Sequence, residues 1–258
     1  MVNKTLRNYI ISLQKKKTRE EHRVFVIEGD KLIKEFLRSD FTIVTLIAKP
    51  EFISSLPAEL SVKAGDIIAV SYDELKKMSS MVTPHNALAV VKMPDLRFSP
   101  SRIFRTLSLA LDTIQDPGNL GTIIRAAAWF GIRNIICTEN SVDVYNPKVI
   151  QATMGALINV KIHYTALDDF LQKARDSNIP VYGSFLDGTE IYRQSHGKKG
   201  IILLGNESKG ISAYLHRFVS DRIVIPAISA SPAGIESLNV GMAASIILYE
   251  FTRDKNRL

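Results

Sequence analysis

Three loops of the sequence combine glycine with polar side chains that could bind or orient a ligand. They span residues 112–121, 205–210 and 226–239, and each contains an asparagine. Because glycine has no side chain, the backbone at these positions can approach a ligand closely. A single loop of this composition is better explained as an ordinary turn. Three such loops, each following an apolar segment, favour a ligand pocket.

Arg125 is the only charged residue between positions 120 and 131. The residues around it are apolar on nearly every side, which predicts a buried helix. A buried guanidinium needs an anionic partner. The sequence is consistent with two partners: a carboxylate in an ion pair, from Asp112 or Asp116, or a phosphate or sugar group of a substrate.

Three other polar residues have a structural and a functional interpretation. Asn119 fits the N-cap of the helix that carries Arg125. Glu207 follows the apolar segment 201–204 and is either a solvated loop acid or a carboxylate placed for hydrogen bonding at the end of a strand, beside a glycine turn. Asn239 lies at the start of an apolar helix and is a helix cap, a core hydrogen-bonding group or a ligand contact.

Several common chemistries are not supported by the sequence. Residues 118–121 lack the glycine spacing of a dinucleotide-binding loop, and Ile211 stands where a P-loop requires lysine. The five histidines show no metal-ligand spacing, so we expect no metal site. The sequence also has no G-x-S-x-G nucleophile motif.

The elements that position these loops alternate between strands and helices, which predicts an α/β fold. We expect a smaller N-terminal domain at residues 1–95, a linker at 93–102 and a second domain at 103–258. Strands are predicted at 24–27, 43–48, 67–70, 87–92, 107–111, 134–138, 161–164, 181–185, 201–204 and 222–225. Helices are predicted at 3–13, 30–38, 73–79, 120–130, 148–157, 168–176, 212–219 and 238–252. The continuous apolar strands of the second domain are typical of a mostly parallel sheet that is buried on both faces.

Composition indicates a globular chain. Of 258 residues, 46% are hydrophobic and 23% are charged, which excludes a disordered protein. The single cysteine, Cys137, cannot form an internal disulfide, and no segment reads as a secretion signal or a membrane span. We therefore expect a cytoplasmic protein with no membrane partner.

Positive charge is concentrated near the N-terminus. The formal net charge is +7, and residues 1–23 carry seven basic and two acidic side chains. Such a patch favours RNA or DNA as a partner, although a solvated helix end explains the charge equally well. The segment 15–19 is predicted to be a polar turn. Its predicted RNA contacts are Lys15, Lys16, Lys17 and Arg19.

The three loops resemble the motifs of one family. NLGTIIR (119–125), LLGNESKG (203–210) and the segment 225–241, which ends in ESLNVG, are similar in order and spacing to the SpoU family of RNA ribose methyltransferases in the SPOUT superfamily. The resemblance covers about residues 105–258. Residues 3–40 resemble the substrate-binding domain that accompanies this family, whose fold is like that of certain ribosomal RNA-binding proteins.

The resemblance implies a fold, a cofactor and a set of site residues. It implies a second domain with a deep trefoil knot, S-adenosylmethionine bound in that knot, and a homodimer formed through this domain. The residues that match functional polar positions of the family are Arg125, Asn119, Glu207, Ser237 and Asn239. The residues that match positions contacting the methyl donor are Gly205, Ile225 and Leu238. Two departures stand out: the segment between Ile225 and Ser237 is longer than usual, and Gly241 replaces the usual serine.

The implied activity is methyl transfer to a ribose 2′-hydroxyl of structured RNA. Ribosomal RNA is the first expectation because of the N-terminal domain, and tRNA is the alternative. Arginine stays protonated at neutral pH, so we assign Arg125 first to gripping the substrate phosphate or 2′-oxygen rather than to removing the proton. A non-catalytic RNA-binding protein on the same scaffold is the rival interpretation. A base methyltransferase is less favoured because the SLN motif resembles the ribose branch.

Overall fold

The computed structural model of the protein describes residues 4–194, 197–227 and 237–253. These residues form two compact units, each with one β-sheet. The first unit contains residues 4–95 together with Asp143–Ile158. The second contains Leu96–Val142 and the described residues from Asn159 onward.

The described residues contain ten strands and eleven α-helices, numbered in chain order. The strands are β1 Val24–Glu28, β2 Ile43–Ala48, β3 Ala64–Ala69, β4 Ala87–Lys92, β5 Leu107–Leu111, β6 Asn134–Cys137, β7 Lys161–Tyr164, β8 Val181–Glu190, β9 Gly200–Leu204 and β10 Asp221–Val224. The helices are α1 Lys4–Ser12, α2 Lys16–His22, α3 Asp30–Arg38, α4 Pro50–Ser54, α5 Ala58–Ser61, α6 Tyr72–Lys76, α7 Pro100–Ile103, α8 Pro117–Trp129, α9 Pro147–Thr153, α10 Leu167–Asp176 and α11 Val240–Thr252. Two 3₁₀ helices span Ala156–Asn159 and Ala213–Phe218.

The first unit is built on a four-stranded mixed sheet with the order β1-β4-β2-β3. β4 runs antiparallel to β1 and β2, whereas β2 and β3 are parallel. Ile10 and Leu13, from α1 and the turn after it, join Val24, Ile47 and Leu88 in one buried cluster. The amphipathic spacing of the first helix therefore serves to cover this sheet.

The second unit is built on a six-stranded sheet with the order β10-β8-β9-β5-β6-β7. All five strand pairs are parallel, and every residue of the two central strands, β5 and β9, is buried. This confirms the predicted α/β fold with a parallel sheet covered on both faces. Leu111 and Leu204 are register partners at the ends of β5 and β9, so the loops that follow them begin side by side. The trefoil knot implied by the resemblance stays a prediction.

Local differences from the predicted elements have identifiable causes. The expected polar turn at 15–19 is wrong, because α2 begins at Lys16 and the turn lies before it. The helix predicted at 148–157 ends at Thr153, since Met154 adopts a left-handed conformation with φ 49°. The segment predicted as helix 212–219 is a 3₁₀ helix. Three short helices, α4, α5 and α7, were not predicted; they lie in connections that the apolar pattern does not mark.

Residues Asp143–Ile158 come from the second half of the sequence but pack within the first unit. α9 contacts β1, and the ring of Tyr145 lies 4.7 Å from that of Phe25. Burial raises the pKa of Tyr145 to about 12, and neighbouring Asp143 contributes to the same shift. The compact unit is therefore discontinuous in sequence, and the functional domain limits 1–95 and 103–258 stay a prediction.

Arg19 does not fit the predicted role in RNA binding. Its side chain is 2% exposed, and its guanidinium donates to the carbonyl oxygens of Leu13 at 2.9 Å and Gln14 at 2.8 Å. It also forms an ion pair with the Asp143 carboxylate. A buried guanidinium with these partners has a structural role, because none of its surface is free for an RNA phosphate. Lys15, Lys16 and Lys17 are exposed.

No helix among the described residues is long and apolar enough to cross a membrane.

Candidate active site

The first predicted loop connects β5 to α8, and its acidic residue rather than its asparagine caps the helix. The Asp116 carboxylate accepts a hydrogen bond from the backbone N–H of Asn119 at 2.8 Å, and Pro117 occupies the first helical position. The expected N-cap role of Asn119 is therefore wrong. Because proline is preferred at the first helical position, the cap shifts to Asp116 and leaves the Asn119 side chain available for other contacts.

The start of this loop is fixed by side chains that follow β6. Thr113 has a left-handed backbone with φ 59°, an uncommon conformation for a branched residue. Its N–H donates to Thr138 Oγ1 at 2.8 Å, and the N–H of Ile114 donates to Ser141 Oγ at 3.2 Å. Thr138 and Ser141 are buried. The loop is thus held in one conformation without needing a ligand.

The second loop is attached to the first at both of its ends. Asn206 Nδ2 donates to the carbonyl of Thr113 at 2.8 Å, and the N–H of Ser212 donates to the Asp112 carboxylate at 2.7 Å. The Asp112 side chain is fully buried. Its second oxygen accepts from the Thr113 hydroxyl at 2.9 Å, so this carboxylate is satisfied by hydrogen bonds.

Gly205, a predicted donor contact, also has a structural reason to be glycine. A Cβ atom at this position would overlap the backbone of Gly210 and Ile211, where the second loop closes on itself. Asn206 and Gly210 form a pair of backbone hydrogen bonds at 3.0 and 2.9 Å. The loop therefore turns back tightly and presents its backbone at the end of β9.

A chain of three side chains joins all three predicted loops. Asn239 Nδ2 donates to Asn119 Oδ1 at 2.8 Å, and Asn119 Nδ2 donates to Glu207 Oε1 at 3.0 Å. Asn206 Nδ2 also lies 3.2 Å from the other Glu207 oxygen. The structure thus brings together three of the five predicted polar site residues. It also shows that the Glu207 carboxylate is a hydrogen-bond acceptor rather than a solvated loop acid.

The third loop leads into α11, which packs against α8. Asn239 caps this helix, since its Oδ1 accepts from the N–H groups of Gly241 at 2.9 Å and Met242 at 3.3 Å. A Cβ atom on Gly241 would lie 2.9 Å from Thr122 Cγ2 of α8. A side chain at position 241 would therefore crowd Thr122, and glycine avoids that contact.

Arg125 is exposed, so the prediction of a buried guanidinium is wrong. The buried side of α8 is formed by residues such as Ile124 and Ala127, whereas Thr122, Arg125 and Trp129 lie on its exposed side. Arg125 makes no ion pair or hydrogen bond within the described part of the chain. The two acids considered as partners are engaged elsewhere: Asp112 with Ser212, and Asp116 with the helix N-terminus. The guanidinium is therefore free to bind an anion.

The remaining predicted residues are not part of this hydrogen-bonded chain. Ser237 is exposed, Leu238 is 45% exposed, and Ile225 is half-buried just beyond β10. Most of the lengthened segment between Ile225 and Ser237 lies outside the described residues, at 228–236. Sequence reasoning gave Asp112 only the role of an ion-pair partner and did not single out Asn206. The signal for Asp112 was an acidic residue directly after an apolar strand.

Other reactive groups give no indication of a second chemistry. Within the described residues, no group of three or more His, Cys, Asp or Glu side chains could hold a metal ion. Cys137 is buried in β6, and burial raises the pKa of its thiol. Such a thiol stays protonated and is a poor nucleophile.

Two family models match the chain, one in each half of the sequence. Residues 106–249 match the model of the SpoU rRNA Methylase family, and residues 4–89 match the MRM3-like substrate binding domain. The first match covers the whole of the loop system described above. It confirms the resemblance predicted from the three motifs.

Individual proteins match over most of their length. The chain is 27% identical to the 23S rRNA (guanosine(2553)-2′-O)-methyltransferase RlmP of Bacillus subtilis, over 92% of each chain. A solved structure of a putative RNA methyltransferase of the TrmH family from Porphyromonas gingivalis is 34% identical, with a TM-score of 0.87, and covers 98% of this chain and 99% of its own. The AdoMet-bound rRNA methyltransferase of Sinorhizobium meliloti is 28% identical, with a TM-score of 0.83, over 97% and 95% of the two chains.

Proposed function

Because this chain belongs to the SpoU rRNA methylase family, we propose that it transfers a methyl group from S-adenosylmethionine to a ribose 2′-hydroxyl of RNA. Ribosomal RNA is the first expected substrate, since the Bacillus relative acts on 23S rRNA, and tRNA is the second. The observation that carries the proposal is the chain from Asn239 through Asn119 to Glu207, which joins three loops. Asn119 lies on the same helix as Arg125, whose guanidinium has no partner among the described residues.

The residues present fit a methyl donor. S-adenosylmethionine has an apolar adenine face and many polar atoms, and donor-bound structures exist among the relatives. Half-buried Ile225 and exposed Leu238 would supply apolar contacts, and the tight turn at Gly205 would supply backbone groups. When bound, the donor supplies an activated methyl group, so the protein mainly needs to align the two reactants.

The protein's own polar residues would orient the RNA acceptor. Arg125 would bind the 2′-oxygen or a neighbouring phosphate, because its guanidinium is exposed and lacks an acidic partner among the described residues. Glu207 and Asn119 would fix the shape of the loops that hold the donor. Ser237 is exposed next to Leu238 and could add a hydroxyl contact.

The decisive experiment is incubation of the protein with methyl-labelled donor and unmodified total RNA. We expect label in one ribosomal RNA species and resistance to alkaline cleavage at the modified linkage. Label confined to tRNA would shift the substrate assignment and retain the reaction. RNA binding without any transfer, in the presence of bound donor, would instead support the non-catalytic alternative.

We also propose a homodimer formed through α11. Three large apolar side chains at helical spacing are exposed on this helix: Met242 at 57%, Ile246 at 38% and Tyr249 at 56%. An exposed apolar stripe of this kind is typical of a protein interface. The mass from light scattering should be twice the chain mass of 28.7 kDa, and Ile246→Glu should reduce it to that of a monomer. A wild-type mass of one chain at micromolar concentration would contradict the proposal.

The exposed lysines Lys15, Lys16 and Lys17 would add RNA phosphate contacts in the first unit. Changing all three to Gln should reduce the slope of log K against log salt for RNA binding by up to about 2 and leave donor binding unchanged. An unchanged salt slope would show that they form a solvated helix end.

The expected cytoplasmic location belongs to the same proposal and can be checked by cell fractionation.

A further inference from the structure

Two phenylalanine rings in the second unit carry a cluster of cationic side chains. The guanidinium carbons of Arg217 and Arg175 lie 4.8 and 5.4 Å from the centroid of the Phe218 ring. Beside them, Arg222 lies 3.6 Å from the centroid of the Phe185 ring. Three of the five cation–π pairs in the described residues therefore lie in this one cluster. Phe218 itself is buried in the core, so it forms a fixed support for the two exposed arginines.

Two of these arginines have no acidic partner within the described parts of the chain. Arg222 pairs with Asp187, but Arg175 and Arg217 form no ion pair. Arg175 instead donates to the neutral amide of Gln172 at 2.7 Å. Gln172 in turn donates at 2.6 Å to Asp176, the acid next to Arg175 in the sequence. Two uncompensated guanidinium groups thus share one ring on an exposed surface.

This cluster is directly connected to the candidate active site. Arg217 and Phe218 belong to the 3₁₀ helix Ala213–Phe218, which begins three residues after the second loop. The entry of that helix is held by the hydrogen bond between Ser212 and buried Asp112. His216 Nε2 lies 2.9 Å from the carbonyl oxygen of Ile211 and fixes its first turn. The cluster and the loop that carries Glu207 are therefore joined by a short, hydrogen-bonded segment of chain.

We propose that Arg175 and Arg217, stacked on Phe218, form a phosphate-binding surface for the RNA substrate in the second unit. This inference rests on the proposed function for the identity of the polyanion. Stacking on an aromatic ring leaves the N–H edge of a guanidinium accessible. Apart from the Arg175 nitrogen that donates to Gln172, the side-chain N–H groups of these two arginines have no hydrogen-bond partner among the described residues. That edge matches the geometry of a phosphate, which arginine binds with two parallel hydrogen bonds. The surface is distinct from Arg125 and from the lysines of the first unit.

The test is the salt dependence of RNA binding by the double variant Arg175→Gln/Arg217→Gln. Loss of two phosphate contacts on single-stranded RNA should reduce the slope of log K against log salt by about 1.4. The affinity itself should fall at least about tenfold at 0.15 M salt, because two charge-assisted contacts to phosphate are lost. The variant Arg175→Lys/Arg217→Lys keeps the positive charge but loses the planar guanidinium with its paired N–H donors. It should keep the slope of log K against log salt and bind RNA with intermediate affinity.

The matched control is Arg133→Gln/Lys161→Gln. It removes the same charge from exposed positions beside β7, the edge strand at the other end of the sheet from β10, which carries Arg222. An equal loss in this control would show a general charge effect and overturn the proposal, as would a slope unchanged in the test variant. Donor binding measured by calorimetry should be the same in all variants. If the parent protein transfers no methyl group but shows the predicted slope change, the proposed function fails and the phosphate surface stands.

Discussion

The hydrogen bond from Asn119 to Glu207 allows a sharp test of how the loops are held together. Asn119→Asp keeps the shape of the side chain but places a carboxylate oxygen 3.0 Å from Glu207 Oε1. Two unit charges at that distance repel by about 1.4 kcal/mol in water and by about 5.5 kcal/mol at an effective dielectric constant of 20. Loss of the hydrogen bond to a charged acceptor adds roughly 1.5–3 kcal/mol.

Glu207 is only half-buried, so water screens part of this repulsion. We therefore expect a net loss of about 3 kcal/mol, which corresponds to roughly a hundredfold lower kcat/KM for methyl transfer. The measurement is the initial rate with labelled donor at subsaturating RNA, from about pH 5.5 to 8.5. At low pH, one of the two carboxyl groups takes up a proton and again provides a donor between them. The ratio of variant to parent activity should therefore rise as the pH falls.

A second substitution provides the control. In Asn119→Asp/Glu207→Gln, the glutamine amide can donate to the aspartate, and Asn239 can still donate to residue 119. The chain is then satisfied again: the bond between residues 119 and 207 reverses its direction, and the bond from Asn239 keeps its own. We expect most of the lost activity to return and the added pH dependence to disappear. The reasoning would be refuted if Asn119→Asp stayed within threefold of the parent, or if the double variant were no more active than the single one.

Three further changes test the anion contact, the buried ion pair and the helix packing. Arg125→Ala should abolish transfer while donor affinity stays within a few-fold by calorimetry; turnover above about a tenth of the parent, a barrier change below about 1.4 kcal/mol, would contradict its assignment. Asp143→Ala leaves the Arg19 guanidinium buried without its anion, so the free energy of unfolding in urea should fall by about 3–5 kcal/mol, and a loss below about 1 kcal/mol would argue against the pair. Gly241→Ser should lower the free energy of unfolding by roughly 1–3 kcal/mol, measured by thermal denaturation, because the serine Cβ would meet the Thr122 methyl group. Adding Thr122→Ala should restore the stability.

The sequence predicts where the site lies in the fold better than it predicts the exposure and the bonding partners of the individual site residues. Long apolar segments correctly located β5 and β9, and parallel strands bring their carboxyl ends to one edge, where Asn119 and Glu207 meet. The exposure of Arg125 could not be predicted, because an apolar helix can turn part of its apolar surface toward a partner or solvent. Trp129, on the same side of α8, is 85% exposed.

The burial of Arg19 could not be predicted from the sequence either, for a different reason. Its ion-pair partner, Asp143, is 124 residues away in the sequence and reaches it only through the fold. A cluster of basic residues near one end of a chain is typical of a nucleic-acid contact, and neither charge nor spacing distinguishes the one buried member from the exposed lysines beside it. Tertiary contacts, rather than local pattern, decided its role.

The position of Asp143–Ile158 within the first unit has a consequence for biosynthesis. A ribosome produces β1 to β4 well before it reaches Ile158, and chain elongation proceeds at about 5–20 residues per second. The interval between residue 95 and residue 158 is therefore on the order of 3–13 s. For the part of that interval before Asp143 and Tyr145 are added, the Arg19 guanidinium lacks its carboxylate and the Phe25 ring lacks Tyr145. The first unit to be synthesised thus becomes complete only after β5 and β6 of the other unit have been made, so it cannot finish folding before synthesis of the second unit has begun.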